Sequence, residues 1–323
     1  MLSEKYKEQV DLLLLILSET ANVKIFALKG GTAINMFERE LPRLSVDIDL
    51  CYTEFTARTE ALKAIQTGLQ DVKAAIQKRM PRVKIDTAST SVHEFKLFCR
   101  THKTEVKIEV NTIMRGHAFP LRVMPLSQAV QDDFGHFFEM TVVSHEELFG
   151  GKICAALDRQ HPRDLFDVRL LLSEEGLSRR VMLGFITSLC SHNRPLHELL
   201  NPNFSALQET FFTQFTGMTK QTFTYEDFQK TWQQLIQVIK KELLPRDKEF
   251  LISFKRAKPD WNLIDVPCLQ NMPAVSWKLE NLQTLIRKNP QKHAEQLRLL
   301  QDVLGVMDET RQRSGSNDSG SPR

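Results

Sequence analysis

The sequence predicts a mixed α/β (α+β) domain over residues 1–150, a mostly helical domain over 151–310 and a disordered tail over 311–323. Three observations carry this reading. A strand, a Gly-Gly turn, a short helix and a second strand follow one another within the first 52 residues. Alternating apolar and polar stretches then recur up to Ser144. Beyond about residue 176 alternation stops and apolar residues recur at helical spacing.

Taken in order, residues 4–20 mix charge with a Leu run and read as a first helix. "VKIFAL" (Val23–Leu28) is β-branched and aromatic, which favours a strand. Gly30 and Gly31 break it, and Thr32 is placed to cap a helix running from Ala33 to Arg39. A strand follows at Ser45–Tyr52, then a long helix from about Ala57 to Met80, closed by Pro81. Further strands are expected at 83–89, 92–100, 105–113 and 137–144. "SHEELFGGKICAALDR" opens with a capping-box pattern, Ser144 with Glu147 three residues on. Pro162 stands where a first-turn proline is tolerated in the next helix. The segments starting at Arg179, Tyr225 and His293 complete the helical part, and the small polar run "SGSNDSGSPR" favours disorder.

Composition sets limits on function. An apolar fraction of 41% and a charged fraction of 26% are those of a globular chain with a sizeable core. A net charge of +3 is compatible with a nucleic-acid partner without requiring one. Five scattered cysteines with no C-x-x-C pair exclude a disulfide framework or a zinc knuckle from the reading and favour a reducing, cytoplasmic setting. "LLLLIL" (Leu12–Leu17) is too short to span a membrane.

The chemistry concentrates in "KGGTAINMFERELPRLSVDIDLCY" (Lys29–Tyr52). On a strand Asp47 and Asp49 face one way and Val46, Ile48 and Leu50 the other. Two like charges on one face call for a counter-ion, and a divalent cation held by two carboxylates and substrate phosphates supplies it. Alone, such a pair is better explained by an edge strand with an acidic solvent face. A Gly-Gly-Thr turn upstream changes the balance, because backbone N–H groups at a helix start favour phosphate. An anion cradle and a carboxylate pair in one strand–turn–helix–strand unit describe a nucleoside-triphosphate site, with neither a Walker sequence nor G-x-G-x-x-G present.

This run resembles motif I of the polymerase-β-like nucleotidyltransferases, and more closely the AbiEii (AbiE/MenT-type) toxins of bacterial toxin–antitoxin systems. Two later stretches strengthen the resemblance: "EELFGGKICAALDR…HPRDLFDVRLLL", and "FLISFKRAKPDW" with "MPAVSWKLENL", where this chain carries Met272. The resemblance implies a polymerase-β-like domain that transfers a nucleoside monophosphate from an NTP to the 3′ acceptor end of tRNA, with Mg²⁺ or Mn²⁺ as cofactor. That transfer would block aminoacylation and growth. It assigns Asp47 and Asp49 to metal binding and catalysis, and Gly30, Gly31, Thr32 and Ser45 to the nucleotide. Lys152 would contact the triphosphate, and Asp164, with Asp167 as the alternative, would position Lys152, the metal or the base. Glu109 on the strand 105–113 is the candidate third carboxylate or metal-activating base, against an ordinary solvent-face acid. Arg159 and Arg163 are candidate phosphate contacts. A cognate antitoxin from a neighbouring gene is implied as partner, and a phosphate added at Thr32 or Ser45 would block the NTP site. A protein or small-molecule acceptor, or a scaffold without turnover, are the competing readings. Two basic runs, Lys78–Lys103 and Lys240–Lys258, are candidate RNA contacts, each interspersed with acids. The three tryptophans, Trp232, Trp261 and Trp277, are expected to anchor helix packing.

Overall fold

A computed structural model describes residues 4–87 and 95–306. The expected tail 311–323 and the first residues of the expected strand 92–100 lie outside the described residues.

Seven strands form one mixed sheet: β1 (Phe26–Lys29), β2 (Asp47–Tyr52), β3 (Lys84–Thr87), β4 (Lys96–Arg100), β5 (Glu105–Asn111), β6 (Arg122–Pro125) and β7 (Glu139–Val142). Their spatial order is β3-β4-β5-β2-β1-β7-β6. The pairs β2/β5 and β1/β7 are parallel and the rest antiparallel. The expected strands are present but shorter: β1 starts three residues late because Val23 and Lys24 belong to the turn that leaves the first helix. Strand β6, a four-residue edge strand ending in proline, is not among the expected strands.

Helices α1 (Glu4–Thr20) and α3 (Arg58–Arg79) cover the apolar face of the sheet, where Ile48 and Leu50 are fully buried. Their approach is close: a Cβ on Gly68 of α3 would stand 2.9 Å from the ring of Phe26. Between β1 and β2 runs α2 (Gly30–Ala33), continued as a π-helical turn through Glu38. Its N-cap is Lys29, so the expected cap at Thr32 is incorrect; the helix begins three residues earlier and Thr32 lies inside it.

The rest is helical: α4 (Gln128–Phe134), α5 (His145–Asp158), α6 (Pro162–Glu174), α7 (Arg179–Ser191), α8 (Leu196–Leu200), α9 (Gln208–Gln214), α10 (Tyr225–Glu242), α11 (Pro245–Lys255), α12 (Pro273–Lys288) and α13 (Pro290–Leu304). Helix α5 runs through position 150. Its cap is the expected one, with the Ser144 hydroxyl accepting from the Glu147 N–H at 3.1 Å. Pro162 occupies the first turn of α6. Buried along its whole length from Val181 to Ser191, α7 packs on α5 through facing glycines. An aromatic cluster around Phe166, Phe211, Phe215, Phe223 and Phe228 fills the space between α6, α9 and α10. Trp232 packs against Phe204 and Trp261 against Phe250 as expected of packing anchors. Trp277 does not: it is 36% exposed, with Arg58 of α3 over its ring.

Candidate active site

The two acids of β2 point away from the apolar core, and strand pairing brings further charge beside them. Asp49 lies opposite Lys29 on β1 and opposite Glu109 on β5, and Asp47 lies opposite Lys107. Paired residues share a face of the sheet, so Lys29, Asp47, Asp49, Lys107 and Glu109 form one charged patch. All five line a cavity of about 380 Å³. Burial pushes the Asp49 carboxyl up from its ordinary range, and the Asp47 charge adds to that rise against the pull of Lys29 and Lys107. An acid in that condition gains from a positive charge placed between it and its neighbour.

Gly30 closes the patch from above. Its φ is +74°, a conformation glycine adopts without strain, and a Cβ there would stand 2.6 Å from Asp49 Oδ2. Gly31 is as restricted: a Cβ would meet the Arg43 guanidinium at 2.7 Å. The turn thus presents bare backbone, with the first helical N–H groups lacking intrahelical partners. Thr32 and Ser45 sit behind it. Their hydroxyl oxygens are 2.8 Å apart, both are buried, and Thr32 donates to the Asp47 carbonyl. They tie α2 to the start of β2, so their contribution to a nucleotide site is to hold the cradle and the acids in register. Ser45 also lines the cavity.

The far wall comes from α5 and α6. Lys152 is buried, its Nζ 2.8 Å from Asp164 Oδ1 and 3.1 Å from Asp167 Oδ2. Each acid has a guanidinium of its own. Arg159 donates to Asp164 at 2.6 and 3.1 Å, and Arg43 donates to Asp167 at 2.7 and 2.5 Å. Both carboxyls are held below their ordinary range against the cost of burial, Asp164 by Lys152 and Arg159, Asp167 by Arg43 and Lys152. Asp164 and Asp167, one turn apart, both contact Lys152. Arg163, from the same turn, reaches to 3.8 Å of Asp47.

Glu109 faces the cavity as expected, but its oxygens are engaged by Lys96 at 3.0 Å and Lys107 at 3.1 Å, which lower its pKa. Among the described residues no three His, Cys, Asp or Glu side chains converge to hold a metal by themselves. Two carboxylates with the remaining places left to phosphate and water is the donor set a triphosphate-bound divalent cation takes, and Asp47 with Asp49 fits it.

Sequence reasoning passed over Lys29, Arg43 and Lys107. Arg43 is 2% exposed and stands two residues ahead of Ser45. An arginine flanked by proline and leucine just before the acid strand was the available signal.

A family model for the nucleotidyl transferase AbiEii toxin of type IV toxin–antitoxin systems matches residues 12–281. The chain belongs to the AbiEii toxin family. It is accordingly a nucleotidyltransferase, and membership implies an NTP co-substrate and an antitoxin partner. No curated protein matches it. Among solved structures it is similar to MenT4, a nucleotidyltransferase toxin from Mycobacterium tuberculosis, with a TM-score of 0.54, 16% identity and coverage of 85% of this chain and 94% of that one. At that identity the likeness concerns the fold, which for this AbiEii chain is the mixed sheet and its helices. Among the described residues of the toxin no helix is long and apolar enough to cross a membrane.

Proposed function

We propose that this toxin transfers a nucleoside monophosphate from an NTP to the 3′-terminal hydroxyl of tRNA, with Mg²⁺ or Mn²⁺ as cofactor. The observation that carries the reading is the juxtaposition of Asp47 and Asp49 with the bare Gly30–Gly31 turn in a cleft also lined by Lys29, Arg43, Lys107, Lys152 and Arg163. A divalent ion bound by Asp47 and Asp49 would supply positive charge at the α-phosphate under attack.

The chain's own groups do the rest. The Gly30 and Gly31 backbone binds phosphate oxygens. Lys152, fixed between Asp164 and Asp167, and Arg163 offset the charge that grows on the departing pyrophosphate. Glu109, kept ionised by Lys96 and Lys107, is in the state required of a third metal ligand or of an acceptor for the hydroxyl proton. The antitoxin is expected from a neighbouring gene.

Of the two basic runs, the first is largely spent internally. Arg79 pairs with Glu19, Arg100 with Asp86 and Glu105, and Lys103 with Glu8. An RNA contact is better sought beside the cleft itself.

The test is incubation with total tRNA, Mg²⁺ and each NTP labelled at its α-phosphate, with Asp47→Ala and Lys152→Ala in parallel. Label on tRNA from one NTP, lost in both variants, is expected. Label on protein in a cell extract and none on tRNA would move the acceptor to the protein class. Undiminished transfer by either variant would overturn the site.

A further inference from the structure

Beside the NTP cleft lies a second pocket of about 210 Å³, and Ser191 and His192, at the end of α7, line both. We infer that this pocket binds one nucleotide unit of the RNA acceptor strand, its base against Trp277 and its phosphate among Lys255, Lys278 and Lys292. The inference rests on the reading of RNA as acceptor and extends it to where the strand lies before its 3′ end enters the cleft.

The charge of the pocket is one-sided. Among the described residues no Asp or Glu lines it, whereas Lys255, Lys278 and Lys292 do. Two of these lysines are deeply buried, Lys255 at 2% and Lys278 at 8% exposure. Neither forms an ion pair among the described residues. Lys255 Nζ donates to Gln296 Oε1 at 2.6 Å, and Lys278 Nζ donates to the carbonyls of His192 and Arg194 at 2.6 and 2.7 Å. Capping the end of α7 accounts for part of what Lys278 does, but not for a second buried ammonium nearby. Buried charge without a counter-ion costs stability. Burial has pushed both lysines down to about 8, helped at Lys255 by the charge of Lys278. An anion entering the pocket would relieve all of this at once.

The remaining lining indicates what the anion is attached to. Trp277 brings an indole, Ile113, Leu282 and Leu285 an apolar floor, and Asn281 an amide. Arg58 lies 4.9 Å from the centre of the Trp277 ring, which steadies the indole. Inorganic phosphate has no use for the indole and the apolar floor, and a metal ion would be repelled. A flat base bearing a phosphate uses both halves, and stacking on an aromatic side chain is the general means of holding unpaired RNA.

The experiment compares the wild type with Trp277→Ala, Trp277→Phe and Lys292→Ala. Lys292 and Trp277 both lie at the surface. Three quantities are measured: anisotropy of a short 5′-labelled single-stranded RNA with a free 3′ hydroxyl, NTP affinity by calorimetry, and KM and kcat for tRNA. Trp277→Ala is expected to weaken RNA binding and raise the tRNA KM about tenfold, with Trp277→Phe retaining most of the affinity. Lys292→Ala should reduce the salt slope of RNA binding by about 1. NTP affinity should not change. Wild-type labelling of tRNA with RNA affinity and KM unmoved in Trp277→Ala and Lys292→Ala would overturn the pocket and leave the acceptor reading intact. Absence of any transfer to tRNA, with RNA binding that Trp277→Ala abolishes, would do the reverse. A free nucleoside monophosphate binding as tightly as the oligonucleotide, with the same dependence on Trp277, would make this a free-nucleotide site and overturn the inference.

Discussion

Asp49 is a residue whose cost to the fold and whose use to the chemistry have one origin. Its carboxylate is half-buried beside Asp47, and its pKa is raised by desolvation first and by the Asp47 charge second. A carboxyl with a raised folded-state pKa contributes stability that is lost as pH rises through that value. At neutral pH, without metal, it is therefore a burden. Asp49→Asn is expected to raise the melting temperature of the metal-free protein at pH 7 while reducing nucleotidyl transfer by about a hundredfold or more. A lower melting temperature would show that the charge is already compensated within the chain. Gly30 makes the complementary case. Gly30→Ala puts a β-carbon in a left-handed backbone and against the Asp49 carboxylate. A loss of about 1–3 kcal/mol in denaturant unfolding, together with loss of transfer, is expected.

At the scale of elements, the site depends on how closely α5 and α7 cross. Glycine inside a helix costs about 1 kcal/mol relative to alanine, yet α5 carries Gly150 and Gly151, and α7 carries Gly184. A β-carbon on Gly150 would stand 2.2 Å from the Gly184 carbonyl carbon, and one on Gly184 would stand 1.9 Å from the Glu146 carbonyl oxygen. These obstacles are backbone and cannot swing aside. The helices meet without side chains between them, and Lys152 follows the crossing by two residues. Gly150→Ala should thus destabilise the protein by about 2 kcal/mol or more despite better helix propensity. It should also lower transfer, because α5 must shift with Lys152 on it. Thermal unfolding and kcat measured together check both halves, and a stabilised Gly150→Ala variant would contradict the packing argument.

Over the whole molecule, the sheet and the helices are joined on one side by a charged seam. His145 at the start of α5 has Nδ1 2.6 Å from Glu38 and Nε2 3.1 Å from Glu175 past the end of α6. Arg122 of β6 completes the Glu38 pair at 2.6 Å. The Glu38 hydrogen bond, opposed by partial burial, raises the His145 pKa. Stability from a raised histidine is present below its unfolded value of 6.5 and lost as pH rises through the folded one. Glu38 works in the opposite sense. His145 and Arg122 outweigh its burial and lower it to about 2, so its share is present above 4.5 and lost as pH falls toward 2. The seam is strongest in the window between these limits. The melting-temperature difference between the wild type and His145→Gln should be largest near about pH 6 and shrink as pH rises. A difference independent of pH would show that the imidazole acts there only by packing.

By itself the sequence determined the order of elements, the polar face of β2 and the family. Those rest on local signals: period-two alternation at 45–52, a glycine pair that breaks a strand, a capping box at Ser144, and motifs spaced along one chain. Asp47, Asp49, Gly30, Gly31, Lys152 and Asp164 were legible for that reason, and all line the one cavity. Tertiary structure decided what depends on partners remote in sequence. Strand register set Lys29 and Glu109 on either side of Asp49. Burial made Thr32 a brace to Ser45 instead of a helix cap. Arg43 became a ligand of Asp167 across 124 residues of chain, and Trp277 faced a pocket instead of the helical core. A charge or an indole reads the same in sequence wherever it ends up. Which neighbour neutralises or covers it is settled only when the chain closes on itself.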